Sequence, residues 1–204
     1  MNVHLRPMRP EDIDQVAAID AHCFRPPWPK HSWRDELGMR NHSHLVVLCD
    51  GLLPRLPGWR RHLQLPRSRP PGERIAGYGG MWLVAGEAHI STLATHPDHR
   101  GLGYGELLLA ALIRRALARQ ATSVVLEVRE SNRVARNLYQ KFGFRLFGMK
   151  AGYYREGNED GCDMRLDLDD PEARNQVLQQ CKMVRAKVIH VDTFNLIPQP
   201  FGYP

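Results

Sequence analysis

Three glycines alternate with other residues where an apolar stretch meets a leucine-rich helix, in the segment HISTLATHPDHRGLGYGELLLAALIRRA (residues 89–116). Glycine lets the backbone approach a ligand closely, and a helix N-terminus exposes N–H groups whose dipole favours anions. The spacing therefore predicts that residues 101–106 bind a pyrophosphate. A purely structural turn, in which the glycines only clear space for a sheet, is the alternative.

The loop differs from two common nucleotide-binding motifs. A P-loop needs a lysine and a Ser or Thr directly after its last glycine, whereas Gly105 is followed by Glu106. A dinucleotide fingerprint needs its second and third glycines three residues apart, but Gly101, Gly103 and Gly105 are each two apart. Glu127 stands about 20 residues on, where a ribose-binding acid would lie, without the fingerprint that would support this role. Nucleotide hydrolysis and dinucleotide chemistry are therefore disfavoured.

The helices and strands around this loop can be predicted from hydrophobic periodicity and turn residues. The predicted strands are 3–7, 44–49, 75–84, 88–95, 123–128, 144–149 and 162–168, and the predicted helices are about 11–24, 32–40, 103–120, 132–142 and one that starts at 171. Ser32 and Ser131 are predicted helix caps. Runs of strands with helices at both ends of the order imply an α/β (α+β) fold, with a mixed twisted sheet flanked by helices.

Length and composition bound the class of protein. The chain has 204 residues, of which 43% are hydrophobic and 25% charged, as in a soluble globular domain. No apolar run reaches the ~18 residues that cross a bilayer, and no leader pattern stands at the N-terminus. The four cysteines are scattered, so we expect reduced thiols, a cytoplasmic location and no membrane contact. His96/His99 and His42/His44 lack a third ligand at metal spacing, so we expect no metal site.

A basic, proline-rich stretch at residues 51–74 separates two predicted strands and holds six arginines and one glutamate. Proline at this density opposes both helix and strand, so we interpret the stretch as an insertion. The chain is divided into a domain of residues 1–170, which contains the insertion, and an extension of residues 171–204 with a helix and an aromatic, proline-rich tail. The net charge of +6 favours acidic partners. The insertion is therefore either a solvated loop or a surface that contacts ribosomal RNA weakly.

One further pattern connects the loop to a known family. Arg100-x-x-Gly103-x-Gly105, after a strand that ends in His96-Pro97-Asp98, resembles the coenzyme A loop of the GNAT superfamily of N-acetyltransferases. Within the GNAT superfamily, the segments LEVRESNRVARNLYQKFGF and GYY are most similar to the RimI family of ribosomal-protein-alanine N-acetyltransferases. The resemblance implies a GNAT fold in which a splayed strand pair holds the coenzyme. It also implies acetyl-CoA as co-substrate and the N-terminal α-amine of a ribosomal protein, beginning with alanine, as acceptor.

The resemblance also implies roles for individual residues. Glu127 is the expected general base, and Tyr139 is the expected general acid that protonates the coenzyme sulfur. Tyr153 and Tyr154 are expected beside the acceptor peptide, although Arg155 stands where proline is common. The expected coenzyme-binding residues are Leu93, Ala94, Thr95, Arg100, Gly101, Leu102, Gly103, Tyr104, Gly105, Glu106 and Asn132. The residues alone leave other interpretations open, in which Glu127 pairs with Arg129 and Tyr139 belongs to the core.

Proton affinity helps to choose the acceptor amine. An α-amino group has a pKa of about 7.8 and a lysine of about 10.4, so presenting a neutral lysine costs roughly 3.5 kcal/mol more. A single carboxylate base therefore suits a protein N-terminus. Two alternatives stay open: a GNAT enzyme for other protein N-termini, lysine side chains or a small amine, and a non-catalytic coenzyme-binding module docked to RNA. The presence of both Glu127 and Tyr139 argues against the second alternative.

Overall fold

The computed structural model describes residues 3–39, 42–50 and 72–196. The insertion at 51–74 lies outside the described residues except for 72–74, and so do residues 197–204 of the tail. Within the described ranges the strands are β1 (Val3–Pro7), β2 (Ser43–Asp50), β3 (Arg74–Val84), β4 (Glu87–Thr95), β5 (Ser123–Arg129), β6 (Arg145–Tyr154), β7 (Glu159–Asp167) and β8 (His190–Asp192). The helices are α1 (Ile13–Cys23), α2 (Lys30–Gly38), α3 (Tyr104–Ala118), α4 (Arg133–Lys141) and α5 (Pro171–Lys187). The predicted elements are all present, and the additional strand β8 is too short to show a periodicity.

The strands of the described residues form one mixed sheet in the order β6-β7-β5-β4-β3-β2-β1-β8. The pairs β4–β5 and β1–β8 are parallel, and the remaining pairs are antiparallel. One hydrophobic core joins a face of the sheet to α3 and α5, and a second core joins the opposite face to α1 and α2. The structure thus confirms the predicted mixed sheet flanked by helices.

The parallel strands β4 and β5 separate after a short contact. They pair from Glu87 opposite Ser123 to His89 opposite Val125. Beyond this point β4 continues to Thr95 against β3, while β5 continues to Arg129 against β7. The two strands therefore diverge near the centre of the sheet, as the predicted splayed pair requires.

A β-bulge in β4 changes which face its side chains occupy. Met81 of β3 pairs with Ile90, but the preceding Gly80 pairs with Thr92, so Ser91 is an extra residue in β4. Before the bulge Ile90 belongs to the core under α3, and after it Ala94 belongs to the core under α1. Such bulges redirect side chains next to functional sites. Here the bulge turns the end of β4 relative to its start.

The two predicted serine caps are wrong. The N-cap of α2 is Pro29, so Ser32 is the third residue of the helix rather than its cap. At α4 the N-cap is Asn132, whose side-chain oxygen accepts a hydrogen bond from the Ala135 N–H at 3.1 Å. The Ser131 N–H donates instead to Glu159 Oε1 at 2.7 Å. In both cases a neighbouring residue already has the extended or turn backbone from which a helix starts.

The segment after residue 170 shares the sheet and the core with the residues before it. Val177, Cys181 and Val184 of α5 are buried in the core that contains α3. Strand β8 pairs with β1 from Val3 opposite His190 to Leu5 opposite Asp192. The division at residue 170 stays a prediction, and the structure joins both sides of it in one sheet.

Candidate active site

A cavity of about 890 Å³ opens where β4 and β5 diverge. Its walls come from the end of β4, the glycine loop, the start of α3, α4 and the end of α5. The volume falls in the range of small-molecule and cofactor sites. The predicted coenzyme-binding residues all line it: Leu93, Ala94, Thr95, Arg100, Gly101, Leu102, Gly103, Tyr104, Gly105, Glu106 and Asn132. The structure thus brings these residues together around one space, and their roles stay predictions.

The glycine loop needs two of its glycines for conformational reasons. Gly101 and Gly103 have φ values of 78° and 79°, in the left-handed region that side chains disfavour. Gly103 is the N-cap of α3, which begins at Tyr104. A Cβ atom added at Gly101 would meet nothing within 4 Å, so a ligand can approach the backbone there. The loop therefore combines an open backbone with the N-terminus of a 15-residue helix, which is an arrangement that suits an anion.

The end of β4 offers backbone groups to the cavity. Leu93, Ala94 and Thr95 pair with β3 on one side. On the other side they have already left β5, whose pairing with β4 ends at His89. A ligand with amide groups can add to such an edge as a further strand.

The charges around the cavity are mostly positive. Glu106 forms an ion pair with Lys141, which also lines the cavity. Arg100 and Lys187 add two more cations to the wall. The Asn132 side-chain oxygen accepts the hydrogen bond of the helix cap, and its Nδ2 is the side-chain group that can donate to an acceptor on a ligand. The cavity therefore matches a polyanionic ligand.

Tyr139 lines the cavity and also belongs to the core. Its side chain is buried, and its ring lies 5.7 Å from the ring of Phe144. Burial raises the pKa of the Tyr139 phenol well above its ordinary value, with a smaller contribution from Tyr154. The phenol consequently keeps its proton at neutral pH and can donate it or a hydrogen bond.

Glu127 lies on the opposite side of β5 from the α3 core. Its neighbours Leu126 and Val128 are buried in that core, whereas Glu127 is half-buried on the other face. Its Oε2 lies 2.6 Å from His89 Nε2, and its Oε1 accepts a hydrogen bond from Lys150 Nζ at 2.8 Å. The hydrogen bond with His89 lowers the pKa of Glu127, and the one from Lys150 adds to this effect. Burial acts in the opposite direction, and the resulting pKa is about 2. Glu127 is therefore a carboxylate at neutral pH.

Sequence reasoning did not identify the two partners of Glu127. The His89 ring packs edge-on against Trp82, with 5.4 Å between centroids, and Trp82 Nε1 donates to Glu36 Oε2 at 2.8 Å. Lys150 also lies 3.2 Å from Asp163 Oδ1. The alternation of β4 indicates that His89 lies on a half-exposed face, but only the strand order brings it to Glu127. Arg129, the partner that the sequence suggested for Glu127, pairs with Glu159 at 3.2 Å.

The two predicted acceptor-side tyrosines lie near Glu127. The rings of Tyr153 and Tyr154 meet at 5.1 Å, and Arg129 Cζ lies 4.2 Å above the Tyr154 ring. Burial raises the pKa of Tyr154 to about 12, and the charge of Glu127 contributes to this shift. Tyr154 in turn contributes to the raised pKa of Tyr139. These side chains form a half-exposed aromatic surface beside the carboxylate.

The sequence of the chain is similar to those of known acetyltransferases. The model of the acetyltransferase (GNAT) family matches residues 13–144. The chain is 34% identical over 167 residues to a Bacillus subtilis protein that is provisionally named an alanine N-acetyltransferase of ribosomal protein bS18, and the match covers 81% of this chain and 96% of that protein. It is 30% identical over 162 residues to the N-alpha-acetyltransferase RimI of Mycobacterium tuberculosis, with 78% and 89% covered.

Solved structures share the fold. The ribosomal-protein-alanine N-acetyltransferase of Escherichia coli superposes with a TM-score of 0.63 at 24% identity, over 81% of this chain and 93% of that one. Arabidopsis thaliana NAA60 in complex with acetyl-CoA superposes with a TM-score of 0.67 at 17% identity, over 82% and 99%. Among the residues that the structure describes, no helix is long and apolar enough to span a bilayer. Nor do residues 3–39, 42–50 and 72–196 contain a cluster of three potential metal ligands of the His, Cys, Asp or Glu type.

Proposed function

The chain belongs to the acetyltransferase (GNAT) family and is an acyltransferase, and we propose that it transfers an acetyl group from acetyl-CoA to the N-terminal α-amine of a ribosomal protein. The observation that carries the proposal is the divergence of β4 and β5. It leaves a ligand-sized cavity with Tyr139 in its wall, and it leaves Glu127 on the other face of the sheet. A coenzyme in the cavity and an amine beside Glu127 can then meet at the gap between the strands.

The cavity fits coenzyme A in size, charge and hydrogen-bonding groups. The backbone of residues 101–106 and the start of α3 would hold the diphosphate, and Arg100 would supply a positive charge beside it. The unpaired edge of residues 93–95 would bond the amides of the pantetheine arm. Bound acetyl-CoA supplies an activated acetyl group, because the thioester C–S bond breaks when an amine nitrogen bonds to the carbonyl carbon.

Glu127 is the proposed general base. As a carboxylate it attracts the ammonium form of the acceptor, and it takes a proton from the nitrogen directly or through a water molecule. A carboxylate whose pKa is about 2 holds this proton weakly. Because Glu127 is ionised, His89 Nε2 donates the hydrogen bond to its Oε2 at 2.6 Å and orients the carboxylate, and the proton that Glu127 takes passes to solvent. The uncharged amine then attacks.

Tyr139 is the proposed general acid. Its phenol is protonated at neutral pH because burial raises its pKa. It lies in the cavity wall, where the departing coenzyme sulfur can receive its proton. Two protons leave the acceptor ammonium: Glu127 takes the first before the attack, and the second, lost as the C–N bond forms, replaces the one that Tyr139 gives to the sulfur. The ammonium and the thioester thus give an amide, a thiol and one proton released to solvent.

The acceptor is proposed from two arguments that do not depend on each other. An α-amine loses its proton more easily than a lysine, which suits one carboxylate base. The names of the relatives from Bacillus subtilis and Haemophilus influenzae specify the alanine of ribosomal protein bS18.

A panel of peptides that differ in their first residue tests this proposal. We expect the highest kcat/KM for a first-residue alanine, and equal rates on an N-terminally blocked peptide with an internal lysine would contradict it.

The proposed roles are tested by Glu127→Gln and Tyr139→Phe. Each should lower kcat by about 10²- to 10⁴-fold, the usual contribution of one proton transfer, while the Kd of acetyl-CoA measured by calorimetry changes little. Glu130→Gln is a matched control, because Glu130 directly follows β5 outside the cavity wall. Full turnover of Tyr139→Phe, with chemistry as the slow step, would assign Tyr139 to the core alone.

A further inference from the structure

The end of α5 forms one wall of the cavity. Val184, Lys187 and Val188 line it together with the glycine loop. The contact with the loop is close, because a Cβ atom added at Gly103 would lie 3.8 Å from Val188 Cγ2. The match to the family model ends at residue 144, so this wall comes from a segment beyond the matched region.

The segment on both sides of Lys187 is held firmly. Before it, Val184 is 1% exposed, and Cys181 Sγ lies 4.0 Å from the Ala110 carbonyl of α3. After it, β8 joins β1, and Asp192 accepts a hydrogen bond from Arg114 of α3 at 2.6 Å. Lys187 therefore has a backbone fixed against α3 and an exposed side chain at the cavity wall.

Lys187, next to Val188 at the end of α5, gives the cavity wall a further cation. Lys141 of α4 is already paired with Glu106, and Arg100 stands at the start of the glycine loop. Coenzyme A carries a diphosphate and a 3′-phosphate, so its charge exceeds what Arg100, the remaining cation of the cavity wall among the described residues, can offset. A lysine at a fixed position acts as a point charge for such groups.

We propose that residues 171–192 complete the coenzyme site and that Lys187 binds a phosphate group of coenzyme A. This inference rests on the proposed function, because it takes coenzyme A as the occupant of the cavity. It assigns a binding role to the part of the chain that follows the matched family region. Val188 closes the site against Gly103, and Lys187 supplies the charge.

Charge reversal at Lys187 tests the proposal by calorimetric titration with coenzyme A. We expect Lys187→Glu to raise the Kd by about tenfold or more, and the uncharged Lys187→Gln to raise it by a smaller factor. Lys182→Glu is the matched control, because Lys182 is also exposed on α5 and is not part of the cavity wall. The control should keep the wild-type Kd, and all three variants should keep the wild-type melting temperature.

Titration with 3′-dephospho-coenzyme A identifies the phosphate. If Lys187 binds the 3′-phosphate, wild type and Lys187→Glu will bind this ligand equally, and if it binds the diphosphate, the variant will remain weaker. A folded Lys187→Glu protein with the Kd of the Lys182→Glu control for coenzyme A would overturn the inference. A wild-type protein that binds no coenzyme A would instead overturn the proposed function, so the two failures are distinguishable.

Discussion

At the scale of single residues, the surroundings of Glu127 determine what it can do. His89 and Lys150 bind its two oxygens separately, and both stabilise the ionised form. The acceptor ammonium must therefore enter a site where another ammonium, that of Lys150, already bonds to the carboxylate. Asp163, 3.2 Å from Lys150, can keep that lysine paired when the acceptor arrives.

We predict that Lys150→Gln raises the pKa of Glu127 from about 2 toward its ordinary value of 4.5, because one of the two bonds that favour the carboxylate is lost. The bond with His89 remains, so the value should stay below 4.5. Carbon-13 titration of the glutamate carboxyl groups measures the shift. Lys141→Gln is the control, since Lys141 pairs with Glu106 instead. An unchanged Glu127 titration in Lys150→Gln would show that the ion pair does not persist in solution.

At the scale of elements, the junction between the glycine loop and α3 carries the binding of the coenzyme. Gly103 combines a left-handed backbone with a position at the start of the helix, next to Val188. A side chain there strains the backbone and enters the space that we assign to the diphosphate.

Gly103→Glu should abolish acetyl-CoA binding in calorimetry, because it places bulk and negative charge beside the phosphates. Gly157→Glu separates this effect from backbone strain. Gly157 has a similar φ of 85°, has nothing within 4 Å of an added Cβ, and lies in the turn between β6 and β7, away from the cavity wall. We expect the control to bind acetyl-CoA like the wild type. Equal losses in both variants would attribute the effect to strain alone.

At the scale of the whole molecule, a buried histidine links stability to pH. His44 in β2 is 2% exposed, and within the described residues neither ring nitrogen has a hydrogen-bond partner. Burial, together with Arg119 and Arg115, lowers the pKa of His44 to about 4. The unfolded chain therefore binds a proton at a pH at which the folded protein excludes it, and stability falls as the pH drops from about 6.5 toward 4.

When the pH falls from 7 to 5, the low pKa of His44 should lower the free energy of unfolding by roughly 2 kcal/mol. Urea unfolding at the two pH values measures the difference. His44→Leu should remove most of it, and His4, whose pKa is also lowered by burial and by Arg6, should account for part of the remainder. His31→Gln, at an exposed position, should keep the wild-type difference. A wild-type protein that is equally stable at both pH values would contradict the prediction.

The insertion can be tested without disturbing the sheet. Asp50 and Arg74 are paired at the ends of β2 and β3, and Glu73 forms an ion pair with the buried Arg6 at 2.7 Å, so a short glycine-serine linker should replace residues 51–72 and keep Glu73. We propose that the arginines of the insertion bind ribosomal RNA and leave the chemistry unaffected. The shortened protein should acetylate a free peptide at the wild-type rate, while its salt-sensitive co-sedimentation with ribosomal particles should fall. Equal co-sedimentation of both versions would make the insertion a solvated loop.

Local patterns in the sequence were enough to predict the helices, the strands and the glycine loop of the candidate site. Hydrophobic alternation and turn residues predicted strands and helices because both depend on neighbours a few residues apart. The glycine loop was predictable for the same reason, since a left-handed glycine before a helix is a local requirement. The roles of Glu127 and Tyr139 came instead from family resemblance, because one glutamate in a strand carries no signal of its own.

Only the tertiary structure decided which distant residues meet. His89, Glu127 and Lys150 belong to three strands, and their contact depends on the order of the sheet and on the faces that the side chains occupy. The approach of Val188 to Gly103 depends in the same way on the packing of α5 against α3. Such contacts form because burying apolar faces brings remote segments together, and the pattern within each segment does not specify its partner. The sequence therefore determined the glycine loop, and the packing of the sheet and α5 determined what surrounds it.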